Sequence, residues 1–246
     1  MTLIATENLV VMRGGATLLD NLTLSLGPTG SVAVIGPNGA GKSTLLRTLA
    51  GIEAPTSGRI RIGDADLTSL SGIRRAQAIG YVPQHFAPHW DLSVHELVRL
   101  GAERIGQVSH DVVDKALATY ELETLSHRRW STLSGGERAR TLLAMVLSVD
   151  PPVLLADEPA ASLDIRHRLD VVRALAERGR DRLAVVVMHD LDLALRFFER
   201  VILLDRGHIE RDCSASELAA DQTIDRVFGV TFERYTSEFG VHLHPR

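Results

Sequence analysis

Residues 31–43 read SVAVIGPNGAGKS. A run of small and β-branched residues ends at Gly36, and Pro37, Asn38, Gly39, Ala40 and Gly41 lead from there to Lys42 and Ser43. The run predicts a strand that stops at the glycine. The residues that follow, STLLRTLAG, place Leu45, Leu46 and Leu49 on one helical face and halt at Gly51. Two glycines separated by four residues and followed by Lys-Ser, at a strand-to-helix junction, form a phosphate cradle. Small residues let successive backbone N–H groups turn onto phosphate oxygens, and the helix adds the positive end of its dipole. In such a loop Lys42 reaches the β- and γ-phosphates and Ser43 offers its hydroxyl to Mg²⁺. A glycine-rich turn with an incidental lysine is the bland alternative, and the strand and helix on either side weigh against it.

The rest of the chain supplies a scaffold for that loop. Leu3–Met12 and Leu18–Leu26 read as strands before it, with RIRI at 59–62 and IGYVP at 79–83 after it. PVLLA (152–156), LAVVVM (183–188) and VILLD (201–205) are continuous apolar runs, the pattern of strands buried on both faces of a mostly parallel sheet. Helices are expected near 165–178 and 190–199. Between residues 92 and 148 the character changes: Val94–Leu100, Asp111–Leu122 and Gly136–Ser148 carry helical periodicity, which predicts a helical insertion. The tail after Ala215 is mixed and shows no repeat, low-complexity segment or flexible linker.

Composition limits the alternatives. The 246 residues carry 27 Lys+Arg against 31 Asp+Glu, a formal charge of -4, so there is no basic excess for tracking nucleic-acid phosphates. One cysteine, Cys213, allows no internal disulfide. The start lacks the layout of a secretory signal, and no apolar run approaches the roughly 20 residues that cross a bilayer. The expectation is a cytoplasmic chain.

Asp157-Glu158 follows a buried run, where paired carboxylates have no structural benefit unless solvated. Beside a phosphate loop the economical reading is a metal site: Asp157 holds Mg²⁺ directly or through water, and Glu158 polarises the water that attacks the γ-phosphate. Leu133-Ser134-Gly135-Gly136-Glu137 has capping-box spacing, Ser134 with Glu137 three residues on. Capping and phosphate binding draw on the same exposed N–H groups, so both uses stay open for this segment alone. Gln84 ends a strand upstream, Ser162-Leu163-Asp164 follows the acidic pair, and His189 ends the strand at 183–188.

In this order the motifs resemble the ATP-binding subunit of an ABC transporter, and the resemblance covers essentially the whole chain. It implies an α/β fold: a P-loop NTPase (RecA-like) core with a mostly parallel sheet, an N-terminal antiparallel β subdomain and an inserted α-helical subdomain. The chain would form a single ATP-binding domain, with 1–84 and 149–246 as the nucleotide-binding core and 85–148 as the helical part. The resemblance makes Gly36–Thr44 the ATP phosphate loop, including Thr44, and Gln84 the glutamine that contacts Mg²⁺ or the attacking water. Asp157 would be the metal carboxylate, Glu158 the catalytic base and His189 the histidine that senses the γ-phosphate. Ser134, Gly135 and Gly136 would bind ATP held by a second copy of the chain, with Asp164 at the same seam. ATP would close a head-to-tail dimer and hydrolysis would let it open.

The same resemblance implies integral-membrane permease subunits, a solute-binding protein acting indirectly, no nucleic-acid partner, and a position on the inner face of the cell membrane. His85-Phe86-Ala87-Pro88-His89-Trp90 is expected to line the groove that receives the permease; a local core cluster is the alternative. Where the family stacks adenine on an aromatic ring, this chain has Arg13, whose guanidinium can also stack on a base. DLSVHELVRLGAERIG, SLDIRHRLDVVRAL and HDLDLALRFFERVILLDRGHI are similar to the ATPases of importers for iron-siderophore complexes, haem and cobalamin. The rivals are an importer ATPase for another small substrate, an ABC-type ATPase acting on nucleic acid, and a non-enzymatic ATP-binding module. The histidines His85, His89, His95, His242 and His244 are not read as a metal site, because no cysteine or acidic partner completes a set.

Overall fold

The computed structural model describes residues 3–106, 109–161, 163–237 and 240–246. Ser162, the first residue of Ser162-Leu163-Asp164, lies outside the described residues. The chain divides into two compact units, residues 1–69 with 172–246, and residues 70–171.

From the N-terminus, β1 (Ile4–Arg13) and β2 (Ala16–Leu26) form an antiparallel hairpin, followed by β3 (Gly30–Ile35), α1 (Lys42–Leu49), β4 (Ser57–Ile62) and β5 (Ala65–Asp66). The sheet order β2-β1-β4-β5 is antiparallel throughout, as the family resemblance implied. Its strands alternate: Leu22, Leu24 and Leu26 of β2 are buried while Asn21, Thr23 and Ser25 face water, the period-2 pattern of a half-buried sheet.

Next come α2 (Gly72–Ala78), β6 (Ile79–Val82), α3 (Val94–Glu103), α4 (His110–Thr119), α5 (Gly135–Leu147), β7 (Val153–Asp157) and α6 (Ile165–Arg178). The helical insertion forms as its periodicity suggests. Val94, Leu97, Val98 and Ala102 of α3, Val113, Ala116 and Leu117 of α4, and Ala144 of α5 share one core with Leu122 and Trp130. Contact between α3 and α5 is close enough to demand a glycine: a Cβ on Gly101 would lie 2.0 Å from Met145 O. Arg104 closes the same seam, donating to Met145 O at 3.1 Å and Val146 O at 2.6 Å, and so satisfies carbonyls at the end of α5. Burial lowers the pKa of its guanidinium.

The chain ends with β8 (Leu183–Val187), α7 (Leu191–Phe197), β9 (Arg200–Asp205), β10 (His208–Ser214), α8 (Ala215–Ala220), α9 (Thr223–Phe228), β11 (Phe232–Ser237) and β12 (Gly240–Pro245). In the first unit β3 pairs parallel with both β8 and β9, and β10 runs antiparallel to β9. In the second, β6 pairs parallel with β7. Every residue of β7 and β8 is buried, as continuous apolar runs require. The mixed tail contains two short helices and a terminal hairpin. Arg234 staples that hairpin down: it donates to Ala219 O and Asp221 O, each at 2.8 Å, and pairs with Asp225, which also accepts the Phe232 N–H at 2.6 Å.

Two stability tests follow from these contacts. Gly101→Ala forces α3 off α5 and is expected to cost about 1–3 kcal/mol in denaturant unfolding. The Arg234 guanidinium, joined by the Phe232 amide, holds the Asp225 carboxyl below the ordinary Asp range against the burial that would raise it. The stabilisation it gives is complete above the unfolded-state value, about 3.9, and fades as pH falls through the lower folded value. Arg234→Ala is therefore expected to destabilise the protein at neutral pH and progressively less in strong acid, read by thermal unfolding across pH.

Candidate functional site

Both groups of candidate residues stand at the carboxyl ends of parallel strands, where open α/β sheets bind their ligands. In the first unit, register pairs Val34 of β3 with Val187 of β8, and Met188 N–H donates to Val34 O at 3.1 Å. Gly36 and His189 each lie two residues past that pair, so the phosphate loop and the histidine emerge at one sheet end. His189 is exposed, and Asp190 next to it caps α7 through the Leu193 N–H at 3.1 Å.

The loop itself is shaped by missing side chains. Gly36 is buried at φ 148°, and a Cβ there would lie 2.1 Å from Leu204 O. Gly41, at φ 101°, would drive a Cβ to 2.6 Å from Leu18 O. It precedes α1 with no side-chain cap, and the positive end of that helix's dipole faces the loop. Lys42 is buried, and its Nζ donates to Gly36 O at 2.8 Å and Pro37 O at 2.9 Å, folding the lysine over the loop. Asn38 and Gly39 are exposed, Ala40 and Thr44 buried, Ser43 half-buried. Arg13 is exposed at the end of β1 and pairs with Glu53, a carboxylate shared with Arg47 at 3.4 Å.

In the second unit, register pairs Val82 of β6 with Ala156 of β7. Gln84 and Glu158, two residues beyond each, meet: Gln84 Nε2 donates to Glu158 Oε2 at 2.8 Å. Glu158 holds a left-handed backbone, φ 49°, uncommon for a residue with a side chain and characteristic of sites where geometry outranks local strain. Asp157 is only 2% exposed.

Ser134 forms the capping box that its spacing suggests, accepting the Glu137 N–H at 3.3 Å while Ser134 N–H donates to Glu137 Oε2 at 2.7 Å. That amide, with the Ser134 hydroxyl and nearby Arg128 and Arg140, holds the Glu137 carboxyl below its usual range despite partial burial. A Cβ on Gly136 would meet nothing closer than His167 Cγ at 3.9 Å, so the packing of this unit does not require the glycine. Asp164 accepts the His167 N–H at 3.0 Å and contacts His167 Nδ1 at 2.8 Å. Those bonds hold its carboxyl low.

The stretch after Gln84 divides. Phe86 packs edge-on against Trp130 at 5.2 Å and joins the helical core, whereas Trp90 is 72% exposed. A cavity of about 560 Å³ is lined by Gln84, His85, Phe86, Trp130, Arg138 and Glu158, among others. Trp130 and Arg138 were not legible as site residues in the sequence. Arg138 lies 5.5 Å over the Trp130 ring and donates to Trp130 O at 3.3 Å and Ser131 O at 3.1 Å, contacts that depend on the path of the loop before α5.

The family model for the ABC transporter matches residues 19–161, more than half of the chain. The chain belongs to the ABC transporter ATP-binding family. The hemin import ATP-binding protein HmuV of Nitrobacter winogradskyi is 40% identical over 93% of this chain and 88% of its own length. A cobalamin import ATP-binding protein, BtuD of Halobacterium salinarum, is 38% identical over 93% of this chain and 59% of its own. Among solved structures, a metal-chelate type ABC transporter in an inward-facing conformation superposes with a TM-score of 0.84 at 23% identity, covering 100% of this chain and 98% of that one, a likeness of fold. A dimeric ATP-binding cassette bound to ADP and Pi gives 0.76 at 28% identity over 86% and 98%. This ABC ATPase thus has the expected α/β fold and binds ATP. Among its described residues no helix is long and apolar enough to cross a membrane.

The capping box makes one prediction independent of nucleotide. Ser134→Ala is expected to lower stability by about 1 kcal/mol, whereas Ser134→Asp, which also caps, is expected to retain most of it; denaturant unfolding without ligand measures both.

Proposed function

We propose that this ABC ATPase is the ATP-hydrolysing subunit of an importer whose cargo is haem, an iron chelate or a corrinoid. It would act as a head-to-tail homodimer on the inner face of the membrane, beneath permease subunits served by a solute-binding protein. The observation that carries the hydrolytic part is the Gln84–Glu158 hydrogen bond at the ends of two paired strands. It holds a carboxylate in one orientation on a backbone conformation that local preference alone would not choose. Similarity to hemin and cobalamin import ATP-binding proteins over nearly the whole chain supports the importer part.

In this reading Gly36–Thr44 wraps the triphosphate, and Lys42 exchanges the Gly36 and Pro37 carbonyls for β- and γ-phosphate oxygens. Arg13, steadied by Glu53, offers the flat face of its guanidinium to adenine. Glu158 accepts the proton of the attacking water, Gln84 orients it, and His189 contacts the γ-phosphate. The groups that would hold a metal, Ser43 hydroxyl, Asp157 carboxylate and Gln84 amide oxygen, are all hard oxygens of the type Mg²⁺ takes. Gln84 spends its N–H on Glu158, which leaves its Oε1 for the cation. Held by those groups, Mg²⁺ would supply positive charge against the phosphates.

Ser134, Gly135 and Gly136 would meet the γ-phosphate held by the second copy, with Asp164 beside them. A Gly136 that its own unit does not need for packing favours close approach from outside. Residues 1–84 and 149–246 would act as the nucleotide-binding core, and 85–148 as a helical arm whose exposed Trp90 meets the permease.

Glu158→Gln keeps the partner of Gln84 but removes the base. It is expected to lower ATP turnover by about a hundredfold or more and to accumulate an ATP-bound dimer on gel filtration. A variant that stays monomeric with ATP contradicts the composite site. Cargo is tested by copurifying the permease and asking whether haem, ferric siderophore or cobalamin raises phosphate release.

A further inference from the structure

A loop that binds phosphate through its backbone must send its carbonyl oxygens away from the anion, because each would repel it. Before ligand arrives Lys42 Nζ takes the Gly36 and Pro37 carbonyls, Ala40 N–H also donates to Pro37 O at 3.2 Å, and Leu45 N–H takes the Gly41 carbonyl at 2.8 Å as α1 begins. The Ala40 carbonyl is taken from far along the chain. Gly207 N–H donates to it at 3.0 Å, and Gly207 O in turn accepts the Asp20 N–H at 2.9 Å. Gly207 therefore bridges the phosphate loop to β2.

Its position leaves no freedom. Register pairs Asp205 with His208, so Arg206 and Gly207 form the two-residue loop of the β9–β10 hairpin, both at positive φ, 46° and 81°. Such loops match the twist of the strands they join but suit glycine far better than other residues. Gly207 is buried, and a Cβ on it would lie 2.8 Å from Leu18 O and 3.2 Å from Leu19 Cα. The same Leu18 carbonyl excludes a Cβ from Gly41, and Gly207 Cα lies 3.7 Å from where that Cβ would stand. Two glycines, one in the loop and one in the turn, thus pack against one stretch of β2.

We propose that the Arg206-Gly207 turn braces the phosphate loop, with Gly207 a positioning residue that fixes the loop through Ala40 and so sets affinity for the triphosphate. The turn touches no phosphate itself. It holds Ala40 O turned back, which keeps the neighbouring peptide N–H groups facing the anion. The inference rests on reading Gly36–Thr44 as the phosphate loop.

The test titrates the full chain, cleared of nucleotide, with MgATP and with tripolyphosphate, a probe of the phosphate-binding groups alone. Lys42→Ala is expected to lose both ligands; if it binds tripolyphosphate unchanged, the phosphate-loop reading fails and the brace with it. Gly207→Ala is expected to weaken both ligands by about tenfold. Arg206→Gly, which relaxes the same turn without touching Ala40, is expected to keep full affinity. A folded Gly207→Ala that binds tripolyphosphate normally, while Lys42→Ala does not, overturns the brace alone.

A second measurement needs no variant. Exchange of the Gly207 amide hydrogen requires breaking its bond to Ala40 O. If that opening spoils phosphate affinity, bound ligand must suppress it. Saturating tripolyphosphate is expected to slow Gly207 exchange by about tenfold more than exchange at Leu243, whose amide bonds Asp192 Oδ1 elsewhere in the same unit. Equal slowing at the two amides overturns the proposal.

Discussion

Backbone N–H groups hold an anion only where the peptide carbonyls beside them turn away from it, and the packing around residues 36–41 suits the phosphate loop proposed there. Gly36 must lie against Leu204 O, and Gly41 against Leu18 O, at distances no side chain allows. The loop is therefore pressed between β9 and β2, and its curvature is set by its neighbours. Lys42 adds the charge and, with no ligand present, rests on two of the loop's carbonyls. α1 follows uncapped by any side chain, which leaves its positive end directed into the loop.

Parallel pairing does the comparable work for the carboxylates. Because β6 and β7 run in the same direction with Val82 opposite Ala156, residues two past each strand emerge together, and Gln84 meets Glu158. A one-residue slip in that register would turn every side chain to the opposite face and separate them. The left-handed backbone at Glu158 costs on the order of 1–3 kcal/mol and persists because a fully buried strand behind it leaves the chain few alternatives.

The helical segment solves a different problem, presenting a short glycine-containing turn on a rigid support. Its core joins α3, α4 and α5, Gly101 lets α3 approach α5, and Arg104 closes the far end of α5. The near end carries the Ser134–Glu137 capping box, so the residues proposed to meet a second nucleotide begin a well-anchored helix. Capping and ligand binding, which the sequence left as alternatives, are compatible. The Ser134 side chain serves the Glu137 amide, while Gly135 and Gly136 carry no side chain at all.

Local chemistry determined a good deal by itself. Strand, glycine loop and helix at 31–49, the buried runs of β7, β8 and β9, the antiparallel start and the three helices of the insertion were all legible, because each depends on residues close in sequence. So were the loop residues and the acidic pair, since their spacing is their chemistry. β10 and the tail were not: HIERDCS alternates only weakly, and the terminal hairpin is held by Arg234 reaching back to Ala219, Asp221 and Asp225. Nor were Glu53 beneath Arg13, Arg138 over Trp130, or Gly207 behind Ala40. Each owes its place to a partner that only folding brings near. A motif declares which atoms can do chemistry, but which way they face is decided by packing and strand register, and those are properties of the tertiary structure.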